Sequence, residues 1–298
     1  MPKANLYYQD RVPSPLTLIW QNFSRNRLAM AALYCLGLLL ITMLASHALA
    51  PYDANQQFAE SLSVAPSWTD AGDMRYLFGT DDLGRDMLSR IIIGSIYSFG
   101  YPLLIVLVAG FIGISLGALA GMSRGLKSSS LNHLLDVLLS IPSLLLALVV
   151  IAILGPSLEN AVIAIVLVLI PQFLHATRNA VRDELKRDYV IASRLNGVPP
   201  RYLLWRVILP NITPVLVMHI TLGISTAILD IALLGFLGLG AQAPAPEWGT
   251  MLARSLDQVY VSPWTMALPG LALFLTILSI NVVGDSLRAA IKARAEES

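Results

Sequence analysis

The chain has little charge and almost no cysteine. Of its 298 residues only 13% are charged, against roughly 25% in ordinary soluble domains. The single cysteine, Cys35, lies in an apolar run; it excludes an internal disulfide, leaves the redox compartment unread, and reads as a small packing residue. No Gly-x-x-x-x-Gly-Lys-Ser/Thr phosphate loop is present, so the chain cannot cradle ATP by that route. His-Glu-x-x-His is missing too, and no two aspartates share a recognisable catalytic motif, which argues against an intramembrane enzyme. What is there is apolar: 56% of residues are hydrophobic and the mean hydropathy is +0.67. That composition points to a membrane protein.

About 20 apolar residues cross a bilayer core, and runs of that kind are predicted at 28–50, 94–121, 132–154, 160–176, 212–238 and 264–284. The fourth is the weakest, because Pro171, Gln172 and His175 interrupt its end. Six crossings put both termini on one side, and lysine and arginine are enriched in loops kept inside. Sixteen of the twenty basic residues fall on the terminal side: Lys3, Arg11, Arg25 and Arg27, then Arg124 and Lys127, seven between Arg178 and Arg206, and Arg288, Lys292 and Arg294. Only Arg75, Arg85, Arg90 and Arg254 fall on the other. Both termini and the loop 177–211 are therefore expected in the cytoplasm. The organisation that follows is an N-tail 1–27, a first span 28–50, an outer loop 51–93, a core 94–288 and a tail 289–298. Ala48-Leu49-Ala50 mimics a signal-peptidase site, but the polar start and the apolar run are both too long for a signal peptide, and Pro51 follows directly. An uncleaved anchor is expected. Before it, Leu16, Ile19, Trp20 and Phe23 fall at i, i+3, i+4 and i+7, the pattern of an amphipathic helix lying along the cytoplasmic interface with Trp20 at headgroup depth. Contact with a partner subunit is the alternative use of that face.

The outer loop carries Asp53, Glu60, Asp70, Asp73, Asp81, Asp82 and Asp86 against three arginines. Glu159, Glu247 and Asp257 extend the acidic balance to the other outer loops. Such a mouth would concentrate cations, unless the acids collect outside merely because the bases are kept inside. Within the loop, Gly79-Thr80-Asp81-Asp82-Leu83-Gly84-Arg85-Asp86 has glycines for tight turns and a charge-paired cluster suited to a cap at the membrane surface. Carboxylates of Asp81, Asp82 and Asp86 could hold a hard cation, but Arg85 and Arg90 offer simpler neutralisation.

In the second span Gly113, Gly117 and Gly121 share one helical face, which predicts close packing of another helix. Gly113-Ile-Ser-Leu-Gly117 also spells the Gly-x-Ser-x-Gly hydrolase pattern, which requires a strand-to-helix elbow that a continuous transmembrane helix cannot supply. Charges inside apolar spans mark function by default. Asp136 and Asp285 lie near span ends and can reach the interface, whereas Asp230 sits in nearly continuous apolar sequence. Asp230 is expected to face a water-filled path or a subunit seam, with Gly235, Gly238 and Gly240 loosening the helix end beside it. Gln242, Pro246, Glu247 and Trp248 follow in a proline-bearing segment expected to form a rigid outer lip.

Between the fourth and fifth spans, Asp188 to Leu195 reads as a short helix, Gly197 as a positive-φ turn, and Pro199-Pro200 as the start of a second short helix ending near Leu209-Pro210. In spacing this resembles the "EAA" loop of bacterial ABC-importer permeases. The outer motif resembles the Leu-Gly-Thr-Asp-x-x-Gly-Arg-Asp signature of C-type permeases of dipeptide and oligopeptide importers, as does the stretch from Ala227 to Gly249. Gly284-Asp285-Ser286-Leu287-Arg288 resembles the family's Gly-Asp-x-Leu-Arg ending. Leu131 to Asp136, Asp183 to Val190 and Leu209 to Thr213 look closest to Sap-type permeases, though the lip is equally close to dipeptide permeases.

The resemblance implies an all-α integral membrane protein with the six-helix type I importer permease fold in the bacterial inner membrane. It implies a half-pore that pairs with a second homologous permease and docks two cytoplasmic ATPases, which would bind the ATP and magnesium. A periplasmic binding protein would deliver solute if the system imports. Tyr189, Ala192, Ser193, Gly197, Arg201, Leu209 and Pro210 are the residues it assigns to ATPase coupling; Ile191 stands where the family's name-giving Glu would be, which removes a specific salt bridge there. Peptides or cationic peptide-like solutes are the implied cargo. Sap systems are associated with cationic antimicrobial peptides and, in some bacteria, with putrescine export, haem or potassium uptake, so a polyamine exporter is the alternative. An ion-driven carrier would need inverted repeats and no basic hairpin. No cofactor or metal is expected on this chain, and nothing suggests nucleic acid as a partner.

Overall fold

The computed structural model describes residues 14–123 and 139–297. Among them the regular elements are helices, apart from two isolated bridges, Ala65 with Gly72 and Thr80 with Asp86. Five described helices are long and apolar enough to cross a membrane. Helix α1 (Pro15–Ser24) is capped by Ser14 and is followed at once by α2 (Arg27–Leu44), the first span, capped by the Asn26 side chain. A break at Ala45 leads into the short α3 (Ser46–Leu49), so the predicted run 28–50 is two helices rather than one. Helix α4 (Met87–Met122) begins inside the predicted outer loop, which shortens that loop at its end to Asp86. A π-turn over Ile96–Gly100 precedes Pro102 in α4; the looser turn accommodates a residue that cannot donate to the helix ladder.

Helix α5 (Ser143–Leu154) is apolar but only 12 residues long, and the predicted start of that span, with Asp136, lies outside the described residues. Helix α6 (Leu158–Glu184) runs unbroken through Pro171 and well into the region read as a loop from 177. Two short helices, α7 (Asp188–Leu195) and α8 (200–211), form the hairpin that leads to α9 (Thr213–Phe236). Helix α10 (Trp248–Ser255) is short, and α11 (Trp264–Glu297) is the last described helix. The last helix thus passes far beyond 284 and takes up nearly all of the predicted tail. Both overshoots share a cause, since apolarity stops at the membrane surface while helical hydrogen bonding does not.

The glycine face of α4 does what its spacing requires. A Cβ at Gly113 would lie 2.8 Å from the Ile170 carbonyl oxygen, one at Gly117 would lie 2.6 Å from that of Leu174, and one at Gly121 would lie 2.7 Å from the Val181 Cβ. The backbone of α4 therefore lies against the α6 backbone at Ile170 and Leu174 and against the Val181 side chain, and Ser115 sits in uninterrupted helix with no elbow. Around that seam Ile105, Val106, Ala109, Ala161, Ile165, Leu169 and Phe173 form the main core with Ala227, Ile231 and Leu234 of α9.

Helix α1 packs Phe23 and Ile19 against Val283, Leu287 and Ala290 of α11, so α1 meets the last turns of α11. Trp20 stays 53% exposed and Leu16 points outward as well, leaving an apolar edge free for the bilayer interface.

Candidate functional site

The outer cap is built from the 79–86 motif. Gly79 and Gly84 take φ of +74° and +71°, values that favour glycine. The Asp81 carboxylate accepts hydrogen bonds from the backbone amides of Leu83 and Arg85 at 3.0 and 2.9 Å and pairs with the Arg85 guanidinium at 2.7 Å. Arg90, buried at the start of α4, lies 3.7 Å from the same carboxylate and donates to the Ala54 carbonyl at 2.9 Å. Asp86 accepts from the amide and hydroxyl of Ser89 at 2.8 and 2.6 Å, capping α4; burial pushes its carboxyl above the ordinary range, against those bonds. Thr80 ties the loop together, donating to the Ser61 carbonyl at 2.6 Å and accepting from the Val64 amide at 2.8 Å. Trp264 at the start of α11 donates its indole N–H to the Thr80 carbonyl at 3.1 Å. The aspartates are thus spent on turns, a cap and arginines. Among the described residues no cluster of three metal-ligating side chains is present. Asp82 stays exposed, as do Asp53, Glu60, Asp70, Glu159 and Asp257, so these segments keep an acidic surface even though Asp81, Asp86 and Glu247 are buried.

The predicted outer lip is corrected by burial. Gln242 is exposed and donates to the Gly238 and Gly240 carbonyls, but Pro246, Glu247 and Trp248 turn inward. Glu247 is fully buried; it accepts from Ser98 Oγ at 3.0 Å, the Gly249 amide at 2.8 Å, the Thr250 amide at 2.7 Å and Thr250 Oγ1 at 3.1 Å. Burial drives its carboxyl upward, and those donors pull it back only in part. The Trp248 indole donates to the Ile91 carbonyl at 3.2 Å. These residues are an interior peg between α4, α9 and α10, because a carboxylate that caps a helix is satisfied by amides and can be buried without a cationic partner.

The path candidates fare differently from expectation. Asp230 is 5% exposed and its Oδ2 has no hydrogen-bond partner, so it is buried inside the chain rather than set on an open wall. Gly235 lies against the Glu247 carboxylate and Thr250 Oγ1, where a side chain has no room. Gly238, at φ +73°, ends α9 in a Schellman turn: its amide donates to the Gly235 carbonyl at 3.0 Å while that of Leu239 donates to Leu234 at 2.8 Å. The Gly240 amide donates to the Leu234 carbonyl at 2.9 Å. These three glycines terminate and pack a helix instead of lining a path.

An open groove does exist, on the side where α1 meets the end of α11. It has a volume of about 960 Å³ and is walled by Gln172, His175 and Asn179 of α6, His219 and Thr226 of α9, and Arg288 and Lys292 of α11. Asp183, Glu184 and Arg187 complete it at the hairpin. The sequence held a signal for it: Gln172, His175 and Asn179 fall at i, i+3 and i+7, a polar stripe on one face of an otherwise apolar helix. In the sequence the first two of these residues count only as a weakness of the span.

The hairpin itself is anchored and not loose. Val190, Leu203, Leu204, Ile208 and Ile212 pack on Ala118 and Val181 near the C-terminal ends of α4 and α6. Gly197, at φ +78°, is the left-handed residue of a second Schellman turn, with its amide donating to Arg194 at 3.0 Å and that of Val198 to Ser193 at 3.2 Å. Pro199 caps α8 and Pro200 opens it. Ser193 Oγ bonds back to the Tyr189 carbonyl at 2.8 Å. The Tyr189 hydroxyl donates to the Glu184 carboxylate; burial and this acceptor hold its pKa above the ordinary phenol value. Ala192, Arg201 and Pro210 are exposed and Leu209 is half-buried. Beyond the predicted set, Ile191, Leu195, Tyr202 and Trp205 expose large apolar surface on the same hairpin.

Comparison with known proteins shows the family. Residues 113–297 match the family model described as "Binding-protein-dependent transport system inner membrane component", and residues 14–66 match the "N-terminal TM domain of oligopeptide transport permease C". The chain is 46% identical to the peptide transport system permease protein SapC of Escherichia coli O6:H1 over 99% of its own length and 100% of the relative's. It is 47% identical to the di/tripeptide transport system permease protein DppC of Pseudomonas aeruginosa over 94% and 92%. Against DppC of Escherichia coli K12 the identity is 41%, over 95% of each chain. Among solved structures, the inward-facing MetNI methionine ABC transporter aligns with a TM-score of 0.54 at 19% identity, covering 69% of this chain and 97% of that one. At that identity the likeness is one of fold.

Proposed function

This chain belongs to the binding-protein-dependent transport system inner membrane components, and on that premise we propose that it moves short peptides as one half of a heterodimeric pore. Membership makes it a multi-pass inner-membrane permease subunit of an ABC transporter, whose family works with ATPase and binding-protein partners. The proposal adds the cargo, the pairing with one homologous permease, two ATPases seated on the α7–α8 hairpin, and a cytoplasmic position for both termini. Relatives named for peptide and di/tripeptide transport support the cargo.

The observation that carries this reading is the groove beside the hairpin. Its walls combine neutral hydrogen-bonding groups, from Gln172, Asn179 and Thr226, with charges of both signs, Asp183 and Glu184 against Arg187, Arg288 and Lys292. A zwitterionic peptide offers amides and two opposite termini to such a lining, whereas a polyamine offers only cations to a wall with more bases than acids. The groove reaches the hairpin at Arg187, which caps α7, and at Asn211 of α8, so movement of the hairpin reshapes the groove directly. The acidic outer face is what favours the polyamine-exporter alternative.

Protection from thiol labelling tests the groove. With Cys35 replaced by alanine, a Gln172→Cys subunit assembled with its partners should react with a water-soluble maleimide, and a labelled dipeptide on the cytoplasmic side should slow the reaction. Protection by putrescine and not by dipeptide would favour the exporter reading.

A further inference from the structure

A second groove, about 320 Å³ in volume, runs between α1 and the end of α11. Asn22, Arg25, Asn26 and Ser286 supply its polar groups, and Phe23, Ala289, Ala290 and Ala293 its apolar floor. We propose that it is a binding site for an anionic phospholipid, with the lipid phosphate at Arg25 and an acyl chain along the alanine floor.

Depth places the groove at the membrane surface. Trp264 is tied to the outer cap through Thr80. Ser286 lies 22 positions further along α11, about 33 Å at 1.5 Å per residue. A hydrocarbon core is about 30 Å thick, so Ser286 to Ala293 emerge at the opposite headgroup layer. The other wall meets the same level, since Asn26 caps the first residue of the first span. Asn26 donates to Ser286 Oγ at 3.4 Å, which joins the two walls.

Charge identifies the ligand. Arg25 is the charged residue of the lining, and no acidic side chain is among the groove's walls. Arg27 stands exposed two residues on, and Asp285, the nearest acid in sequence on α11, is exposed too. An exposed arginine at headgroup depth beside neutral hydrogen-bond donors matches a phosphate oxygen, and the inner leaflet concentrates such lipids against basic surface. Trp20 and Leu16, exposed on α1, continue the apolar edge into the same layer. The bound lipid would fill the gap between the helix that opens the chain and the one that ends it.

The test is native mass spectrometry of the assembled transporter released from nanodiscs of phosphatidylethanolamine and phosphatidylglycerol. The wild type should retain phosphatidylglycerol. Arg25→Gln should lower retention on the order of fivefold, the loss expected of one arginine near an anionic surface, and Arg25→Lys should restore most of it. Ala289→Leu, at the exposed lip, narrows the floor and should lower retention with the charge intact. Equal retention by Arg25→Gln and wild type would overturn the proposal. So would displacement of the lipid by millimolar glycerol phosphate or inorganic phosphate, since the site would then recognise the free anion and not the lipid.

Discussion

Ser98 Oγ, about three turns inside α4, lies 3.0 Å from the Glu247 carboxylate, joining two points 149 residues apart in sequence. The same hydroxyl accepts from the Trp248 amide at 2.8 Å, so one serine fixes both the peg and its direction. Glu247 in turn leaves no space at Gly235, and α4, α9 and α10 are held in register by a single buried carboxylate.

That arrangement predicts an unusual pH response. The Glu247 carboxyl is raised by burial in the folded chain relative to the unfolded one. A folded state that binds the proton more readily gains stability as pH falls through the interval just above the ordinary glutamate value. Asp86 works in the same direction. The apparent Tm of the detergent-solubilised complex should hold or rise over that interval, and Glu247→Gln should flatten the response. The amide also turns one oxygen into a donor facing donors, which should cost about 1–3 kcal/mol at neutral pH. A Tm that falls steadily in both proteins as the pH is lowered through that interval contradicts the assignment.

Gly197 is predicted to be limited by backbone conformation and not by space. Nothing lies within 4 Å of a Cβ built there, yet φ is +78°. Asn should therefore be tolerated better than Ala, and Ala better than Val, with the β-branched residue costing roughly 1–2 kcal/mol or more. The readout is transport-stimulated ATPase activity, with membrane insertion unchanged across the series. Loss of coupling that ranks with side-chain volume alone would point to a steric contact with a partner instead.

At the α4–α6 seam the reverse holds. A Cβ at Gly117 meets backbone, so even Gly117→Ala should destabilise by about 1–3 kcal/mol, and Gly117→Leu should prevent stable assembly. Thermal melting with size-exclusion recovery measures both. Wild-type melting of Gly117→Leu would mean that the two helices separate more readily than their packing indicates.

Asp230 presents a buried carboxylate oxygen with no hydrogen-bond partner. Removing the charge should leave stability unchanged or improved, because an unsatisfied buried group is destabilising. Asp230→Asn is then expected to melt no lower than wild type while transporting at least tenfold more slowly, the signature of a group kept for a state in which it meets water. Normal flux would assign it no part in transport.

Much of this was readable from the chain because the signals were local. Gly197 followed by Pro199-Pro200 spelled a capped turn, and Gly113, Gly117 and Gly121 spelled a helix seam. The 79–86 motif encoded its own turns. Less readable were features that depend on what lies opposite. Glu247 and Trp248 follow prolines and look like surface, but their burial depends on Ser98 and Ile91 in a distant helix. Gln172 and His175 weakened a hydropathy run, although the helix continued through them to Glu184 and turned them into a groove wall. Hydropathy marks where the membrane ends, and helices need not stop there.

The most direct measurement is flux. The chain, co-expressed with its neighbouring permease and ATPase subunits, would be reconstituted with a binding protein and supplied with a labelled dipeptide. ATP-dependent movement of the dipeptide, lost when the ATPase subunits are left out, is the predicted result. Flux that survives without the ATPases, or ATP-driven movement of putrescine with none of dipeptide, would contradict the account.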